Sequence, residues 1–337
     1  MRYDITSSTL LFRKPARTSR GAYTEHRMLL VRLTDPATGR EGIGECAPLP
    51  DLSSDRHAYD DPEAVGRLLC KAFSASDFRS VLLPYPALLF AVESAMAQME
   101  ALPSTPFTRG ERGIPINGLV WMADFDDMAR QVEAKFAQGF RCIKLKIGAI
   151  AWEQEVELLR RIRSRFPAEE LELRVDANGA FSVEEAPDKL RQLADFHLHS
   201  IEQPIRQGQW QAMAELCRTS PLPIALDEEL IGLHSPQEKA EMLDAIRPQF
   251  IVVKPTLHGG LSGAREWIGM ACSRGIGSWI TSALESNIGL RSIALLADEL
   301  YGPDIRFPQG LGTGQLFVEN IDTGITINGS SLWLTRP

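Results

Sequence analysis

The feature that most constrains the fold of this chain is a repeated alternation of short apolar segments and amphipathic segments, which begins near Ile114. The apolar segments are typical of buried strands, and several end in a charged residue. Strands that alternate with helices predict a parallel sheet, because parallel strands need long crossover connections. Near-eightfold repetition over roughly 200 residues favours a closed β/α barrel over an open sheet.

Seven strands of this barrel are clear in the sequence, and an eighth, at residues 305–307, is weaker. The intervening amphipathic segments predict helices at 124–139, 151–166, 182–194, 208–219, 235–246, 261–274 and 287–300. A doubly wound open sheet is the alternative fold. It is disfavoured because no glycine-rich phosphate turn follows the first strand. The predicted class is therefore α/β, a modified TIM-type barrel of seven or eight β/α units.

The first hundred residues have a different pattern, which predicts a separate α+β domain. Arg27–Leu33 and Gly42–Ala47 read as a hairpin-like strand pair, and helices are expected from Pro62 and from about Pro86 to Glu100. We expect three parts, at 1–103, 104–315 and 316–337. The segment 102–112 is typical of a linker, and the C-terminal part is expected to pack on the N-terminal domain.

Composition excludes several classes of partner. The 337 residues carry a net charge of −8 and no basic run, which argues against nucleic acid or an anionic membrane as the main partner. No segment approaches the ~20 apolar residues of a membrane span. The five cysteines are widely spaced and lack a CxxC pair, so reduced thiols of a cytoplasmic enzyme fit better than disulfides or zinc. A homo-oligomer is compatible with the sequence, which leaves the oligomeric state open.

Three carboxylates, Asp176, Glu202 and Asp227, stand at the ends of three successive predicted strands. In a β/α barrel the strand ends converge on one mouth, where three carboxylates would repel each other unless a cation bound them. Oxygen ligands favour Mg²⁺, with Mn²⁺ as the alternative, over Zn²⁺. Each carboxylate taken singly is more often solvated or salt-bridged, so the prediction depends on their common phase.

Lysines flank these carboxylates on both sides. Lys144 and Lys146 share one strand face by the two-residue period, and Lys254 ends an apolar strand beyond the carboxylates. One interpretation is that the lysines only neutralise the carboxylates. The other is proton abstraction next to a substrate carboxylate, with one neutral lysine as the base. The metal and the neighbouring Lys144 would favour the neutral amine of Lys146.

The set Lys144-x-Lys146, Asp176, Glu202, Asp227-Glu228 and Lys254 resembles the muconate-lactonizing subgroup of the enolase superfamily. The resemblance covers nearly the whole chain, and residues 42–50 are similar to the capping-domain hairpin of that superfamily. Within the subgroup, the stretches 174–178, 281–290 and 310–313 look most like the o-succinylbenzoate synthase family. Racemases of the subgroup share the lysine and metal pattern.

The resemblance implies a Mg²⁺-dependent lyase of menaquinone biosynthesis. It would dehydrate the small carboxylate 2-succinyl-6-hydroxy-2,4-cyclohexadiene-1-carboxylate to 2-succinylbenzoate through a metal-stabilised enediolate. Lys146 would remove the α-proton, Lys254 would lie against the enediolate as an ammonium, and Lys144 would tune Lys146 and contact the carboxylate. The alternative within the superfamily is a dipeptide epimerase or N-acylamino acid racemase. A non-catalytic binding protein on a barrel framework is the alternative outside it.

Further residues are candidates for binding the substrate or supporting the site. Arg174 shares the strand face of Asp176, and a buried ion pair with a ligand carboxylate is an equal alternative for it. Ser282, Ser286, Asn287 and Gly289 surround a predicted helix start, where backbone N–H groups suit an anion such as the succinyl carboxylate; N-capping is the alternative.

Asn178 and Glu228 are expected to support the metal site from behind its ligands. Glu228 follows Asp227 directly and should point to the opposite side of the strand. Trp121 is expected to pack in the core, and His258 is expected to be a loop residue. The glycine-rich stretch 310–314 lacks the features of a phosphate loop, although it could close over the barrel mouth.

Overall fold

The computed structural model describes residues 1–18, 21–148 and 150–335. Within these ranges, the N-terminal part forms a three-stranded antiparallel sheet of β1 (Arg2–Thr18), β2 (Gly21–Thr34) and β3 (Glu41–Cys46). The predicted strand pair is confirmed, because Leu33 lies opposite Gly42 and Leu29 opposite Cys46. The sequence does not predict β1, since serine, threonine and charged residues interrupt its apolar alternation.

Helices cover one face of this sheet. They are α1 (Pro62–Ser74), α2 (Phe78–Leu82) and α3 (Pro86–Gln98). Helix α1 begins at the predicted proline, and the Asp61 side chain caps it by accepting a hydrogen bond from the backbone N–H of Glu63. Helix α3 is buried along most of its length, so its apolar residues join those of β2 and β3 in the core of the domain.

The rest of the chain is a TIM-type barrel. It opens with the short strand β4 (Ile114–Pro115). The described residues then form a seven-stranded parallel sheet in chain order: β5 (Gly118–Val120), β6 (Cys142–Lys146), β7 (Glu172–Asp176), β8 (Ser200–Glu202), β9 (Ile224–Leu226), β10 (Phe250–Val253) and β11 (Gly277–Ile280). The middle strands are buried on both faces, which explains their continuous apolar sequence.

The barrel helices follow the predictions to within a few residues. They are α4 (Phe125–Ala137), α5 (Trp152–Arg165), α6 (Ala186–Ala194), α7 (Trp210–Thr219), α8 (Pro236–Ile246), α9 (Gly260–Ser273) and α10 (Asn287–Tyr301). Local capping explains several starts: Ser235 and Glu238 form a capping box at α8, for example. No helix in the described ranges is long and apolar enough to cross a membrane.

The barrel closes through a two-residue segment. Gln309 bridges in parallel to Ile116, and Gly310 bridges in parallel to Thr281, so these two residues join the edges of the sheet. The predicted eighth strand at 305–307 is therefore placed too early. The closing segment is Gln309-Gly310, whose composition gives no strand signal.

The chain segments outside the two main units are packed rather than loose. In the predicted linker 102–112, Phe107 is fully buried in the barrel core and Arg112 pairs with Asp298 at 2.7 Å. The tail contacts the N-terminal domain at Val318, whose backbone N–H donates to the carbonyl of Leu11.

Beyond that contact, the tail joins the barrel instead of the N-terminal domain. The hairpin of β12 (Ile325–Asn328) and β13 (Ser331–Leu334) pairs with β4, and its apolar residues join the barrel core. Only the first part of the tail therefore lies where the sequence prediction places it.

Candidate active site

The three carboxylates come together at the carboxyl ends of adjacent strands. Asp176 ends β7 and lies in register with Glu202, which ends β8. Asp227 directly follows β9, the next strand of the sheet. All three side chains are buried, with at most 2% of each residue exposed. Their positions at the ends of successive predicted strands therefore predict their convergence correctly.

The three lysines contact these carboxylates directly. Lys144 Nζ lies 3.1 Å from Asp176 Oδ2 and 3.0 Å from both carboxylate oxygens of Glu202. Lys146 Nζ lies 2.7 Å from Asp176 Oδ2. On the other side, the Lys254 ammonium donates a hydrogen bond to Asp227. The structure thus brings together all six residues that sequence analysis assigned to catalysis and metal binding.

The carboxylates hold two of the lysines in the charged form. Burial alone would lower the pKa of Lys144, but the carboxylates of Glu202 and Asp176 outweigh burial and raise that pKa above its usual value. Burial likewise opposes the charge of Lys254, yet Asp227 and Glu202 raise its pKa. Lys144 and Lys254 are therefore ammonium groups at neutral pH.

The lysines do not fully compensate the carboxylates in return. Burial opposes the ionisation of Asp176, but Lys146 and Lys144 hold its pKa well below the usual range. Burial and the neighbouring Asp176 carboxylate raise the pKa of Glu202 to about 8. Burial also raises the pKa of Asp227. The positive charge of the lysines therefore does not offset the effect of burial on Glu202 and Asp227.

A divalent cation would supply further positive charge next to these carboxylates. The residues present fit Mg²⁺ in donor chemistry. The donors are all carboxylate oxygens, and the buried Asp227 Oδ1 has no hydrogen-bond partner among the described residues. Within the same ranges, no group of three or more acidic, histidine or cysteine side chains is arranged to hold a metal as it stands. The ammonium groups of Lys144 and Lys254 lie against the carboxylates instead.

Asn178 and Glu228 lie at the cavity surface and connect its two sides. The Asn178 side-chain oxygen lies 2.7 Å from Lys146 Nζ, and its amide donates to Glu228 Oε1 at 3.0 Å. The expected opposite orientation of Glu228 is wrong. The strand ends at Leu226 and the chain enters a 3₁₀ turn at Glu228, so Asp227 and Glu228 both face the site.

A cavity with about 770 Å³ of space, part of it open to solvent, lies above the lysines. Lys144, Lys146 and Lys254 form its floor. Its walls come from both structural units: Tyr23, Leu49, Asp51 and Leu52 from the N-terminal domain, and Asn117, Leu119, Trp121, Thr281, Ser282, Ala283, Leu284, Gly310, Gly312 and Thr313 from the barrel. The site is therefore shared between the barrel mouth and the N-terminal domain.

Two of these wall residues, Trp121 and Thr281, are not predicted as site residues from the sequence. Trp121, expected in the core, lines the cavity, and its indole N–H has no hydrogen-bond partner in the part of the chain that the structure describes. Thr281 also lines the cavity, with its hydroxyl unpartnered among those residues. Each directly follows a barrel strand, β5 for Trp121 and β11 for Thr281, and a position next to a strand end is the signal that could have identified them. The glycine-rich stretch does reach the mouth, through Gly310 and Gly312.

Of the five predicted substrate-binding residues, Ser282 lines the cavity, whereas Arg174 lies one layer deeper in the barrel. The Arg174 guanidinium pairs with Glu172 at 2.8 Å, donates to the carbonyl of Pro308 at 3.0 Å and lies 4.4 Å from the ring centre of Trp279. The shared strand face is correct, but two residues along a strand are enough to take the side chain below the cavity.

Ser286, Asn287 and Gly289 also lie away from the cavity. The anion at the start of α10 is Glu45 of the N-terminal domain, which accepts hydrogen bonds from the backbone N–H groups of Ser286 and Gly289. The Asn287 amide donates to the carbonyl of Ile321. The sequence pattern correctly predicts an anion at this helix start, but the anion is a side chain of the same protein and not the substrate.

His258 is buried behind Lys254 and contacts its backbone. Its Nδ1 accepts a hydrogen bond from the Lys254 backbone N–H at 2.9 Å. Burial, together with the charges of Lys254 and Lys239, holds the pKa of His258 well below its usual value, so the ring is neutral. His258 therefore lies in a loop, as expected, and it also fixes the start of that loop through its hydrogen bond with Lys254.

Comparison with known proteins gives consistent results. The family model for enolase C-terminal domain-like proteins matches residues 127–309. An o-succinylbenzoate synthase of Desulfotalea psychrophila is 46% identical, with 98% of each chain covered. An N-succinylamino acid racemase of an Amycolatopsis species is 29% identical, over 90% of this chain and 88% of that protein.

Solved structures agree with the sequence comparison. The crystal structure of MenC from Desulfotalea psychrophila superposes with a TM-score of 0.80 at 43% identity, and 99% of each chain is covered. The similarity therefore extends over both structural units, including the N-terminal domain that the family model does not reach.

Proposed function

The chain belongs to the enolase superfamily, and from this premise we propose that it is an o-succinylbenzoate synthase of menaquinone biosynthesis. The reaction removes water from 2-succinyl-6-hydroxy-2,4-cyclohexadiene-1-carboxylate and leaves the aromatic 2-succinylbenzoate. The observation that carries the proposal is the convergence of Lys146 and Lys254, from opposite sides of three strand-end carboxylates, on the floor of one cavity.

We assign the proton transfers to Lys146. Its amine takes the proton from the carbon that bears the substrate carboxylate, and the electron pair moves into that carboxylate as an enediolate. The protonated Lys146 then donates its proton to the departing hydroxyl group, so that water leaves and the ring becomes aromatic. In the structure, Lys146 donates to Asp176 and Asn178, and these two bonds orient its nitrogen at the cavity floor.

Lys254 and Lys144 contribute positive charge rather than proton transfer. Both are buried ammonium groups at the cavity floor, where a negative charge developing on the substrate carboxylate gains most from them. Mg²⁺ held by Asp176, Glu202 and Asp227 would supply further positive charge for that carboxylate; Mn²⁺ has the same ligand preference. The apolar side chains of Leu49, Leu52 and others in the wall exclude water from the ring.

The distal end of the substrate requires polar partners, which the upper wall offers. We assign the succinyl carboxylate to the hydroxyl groups of Thr281 and Ser282 and the amide of Asn117, all of which line the cavity. The proposal also places the enzyme in the cytoplasm, where its five unpaired cysteines would stay reduced.

The test is turnover by the purified protein, followed as loss of the cyclohexadiene chromophore with Mg²⁺ and again after EDTA. Rapid, metal-dependent loss is expected. A folded, metal-binding protein without turnover would contradict the synthase assignment. Dipeptides and N-succinylamino acids in D₂O would then test the epimerase or racemase, for which deuterium must enter both product isomers because both lysines exchange protons. A binding protein would show neither reaction.

A further inference from the structure

Two buried glutamates of the N-terminal domain contact the first turns of two successive barrel helices. Glu45, on β3, is fully buried and contacts the start of α10. Its Oε1 accepts from the backbone N–H of Ser286 at 2.8 Å, and its Oε2 accepts from Gly289 N–H at 2.9 Å and from the Ser286 hydroxyl. A carboxylate at this position satisfies helix N–H groups that have no partner within the helix.

Glu93, on α3, makes the equivalent contact with α9. Its Oε2 accepts from the backbone N–H of Ser262 at 2.9 Å, and its Oε1 pairs with Arg79 at 2.7 Å. Only 5% of the residue is exposed. Because β3 and α3 are packed against each other, the two carboxylates lie on neighbouring elements of the N-terminal domain.

The barrel helices are shaped to admit these carboxylates. A Cβ atom on Gly260 would lie 2.7 Å from Glu93 Oε2, and one on Gly289 would lie 3.1 Å from Glu45 Oε2. In each helix a glycine therefore lies beside the approaching glutamate, although a Cβ atom on Gly289 would first meet the Glu285 side chain, at 2.7 Å. Two independent positions with the same arrangement indicate a specific mode of docking rather than one chance contact.

Each of the two helices directly follows a loop of the proposed active site. Lys254 lies just before α9, and Ser282 and Leu284 lie just before α10. The two loops are also joined to each other, since the Thr256 hydroxyl donates to Glu285. On the other side of the contact, β3 leads into the segment that carries Leu49 and Leu52 to the cavity.

We propose that Glu45 and Glu93 form a two-point clasp that fixes the position of the N-terminal domain relative to the two active-site loops. Both are positioning residues, because neither lines the cavity. The clasp holds the wall segment 49–52 opposite the catalytic lysines, and it holds each loop through the first turn of the helix that follows. This inference rests on the proposed function only for the purpose of this positioning, and not for the contacts themselves.

The activity test uses Glu45→Gln and Glu93→Gln, which keep side-chain size and remove the charge. We expect kcat/KM to fall by about tenfold in each variant, the loss associated with one charged hydrogen bond. Glu45→Gln should act mainly on KM, because α10 follows the cavity wall. Glu93→Gln should act mainly on kcat, because α9 follows Lys254. The control is Asp298→Asn, which removes a buried ion pair away from the clasp and the cavity.

A purely structural role would lower the Tm in all three variants and leave kcat and KM unchanged, and that result would overturn the proposal. Should Glu45→Gln fail to fold, Ser286→Ala removes the hydroxyl donor to Glu45, together with the N-cap hydrogen bond that this hydroxyl accepts from the backbone N–H of Ile288. It should raise KM in the same direction by a smaller factor, and an unchanged KM would equally overturn the proposal.

Amide hydrogen exchange tests the clasp independently of any activity. The Ser286 and Gly289 amides should exchange faster in Glu45→Gln, and the Ser262 amide faster in Glu93→Gln, while Asp298→Asn leaves all three protected. If the variants show this pattern but the wild-type protein has no synthase turnover, the proposed function fails and the clasp stands. If the protein turns over substrate but the amides are unaffected, the clasp fails alone.

Discussion

At the residue scale, the proposed mechanism assigns proton transfer to Lys146 and only a positive charge to Lys254. Its ammonium contacts Asp227 and lies on the cavity floor, where it would face the enediolate. Two unit charges ~4 Å apart attract by about 4 kcal/mol at an effective dielectric of 20. A synthase needs only this attraction from Lys254, whereas a racemase needs a proton from it.

Substitutions at Lys254 separate these two roles. Lys254→Arg keeps a positive charge, so it should retain at least about tenfold more dehydration activity than Lys254→Ala. The measurement is kcat for loss of the cyclohexadiene chromophore at saturating substrate. Equal loss of activity in both variants would show that Lys254 acts through a proton rather than its charge.

His258 should make stability depend on pH. Its pKa is depressed in the folded protein, whereas the unfolded chain has the ordinary value of about 6.5. Below that pH the unfolded state binds a proton that the native state does not, so the free energy of unfolding falls as pH falls, by about 1.4 kcal/mol per unit.

The comparison is with His258→Gln, which removes the titrating group. Urea unfolding in EDTA, from about pH 7.5 to about pH 5.5, should show a smaller loss of stability in the variant. His199 and His234 also have lowered pKa values but contribute equally to both proteins, so they cancel in the difference. Parallel pH profiles would mean that His258 is already charged in the fold.

At this scale, the sequence predicts a residue correctly where its place on a strand decides its direction. Asp176 and Glu202 are predictable because they end buried strands, and Lys144 and Lys146 are predictable from the two-residue period of β6. The direction of Glu228 is not, because it depends on where β9 ends and the 3₁₀ turn begins. The position of Arg174 is not predictable from its strand alone. Its guanidinium pairs with Glu172 on the same strand, but it also lies against Trp279, which is distant in sequence.

At the element scale, the packing of α3 on β3 determines where the clasp residues lie. A Cβ atom on Gly44 would lie 1.8 Å from the carbonyl oxygen of Ala91 in α3. The helix backbone therefore rests directly on the strand at this point, and only glycine permits that approach. Glu45 follows Gly44 and Glu93 follows Ala91 by two residues, so this contact also places both carboxylates.

Gly44→Ala should therefore destabilise the protein by at least about 1–3 kcal/mol, the usual cost of forcing extra volume into a packed core. Gly269→Ala is the matched control, because Gly269 lies exposed on α9 with no atom within 4 Å of an added Cβ. That change should stabilise the protein by about 0.5–1 kcal/mol through helix propensity. Urea unfolding measures both, and a harmless Gly44→Ala would refute the close packing.

Helices and most strands could be predicted from the sequence because their signals are local. The barrel closure at Gln309 and Gly310 could not, since two residues carry no periodicity and are held by Ile116 and Thr281 from elsewhere in the chain. The start of α10 was recognised as an anion site. Its occupant, Glu45, lies 241 residues away from Ser286, a separation that no local pattern bridges.

At the scale of the whole molecule, the proposed Mg²⁺ site at the three buried carboxylates predicts that the metal stabilises the folded protein. A ligand that binds only the native state stabilises it by an amount that grows with the logarithm of the ligand concentration, about 2.7 kcal/mol at a hundred times its Kd. Mg²⁺ should therefore raise the Tm of the wild-type protein, and EDTA should reverse the increase. Asp227→Asn should lose most of the shift, and an unchanged wild-type Tm at any Mg²⁺ concentration would contradict the metal assignment.

The most direct test of the whole account is the dehydration rate of Lys146→Ala beside the wild-type protein at saturating Mg²⁺ and substrate. Removing a positioned acid–base residue should lower kcat by about 10³-fold, because both proton transfers are assigned to this nitrogen. The variant should still bind Mg²⁺ and unfold cooperatively, which shows that the site is intact. Turnover by Lys146→Ala at a rate near that of the wild type would contradict the account, since the variant lacks the nitrogen to which both proton transfers are assigned.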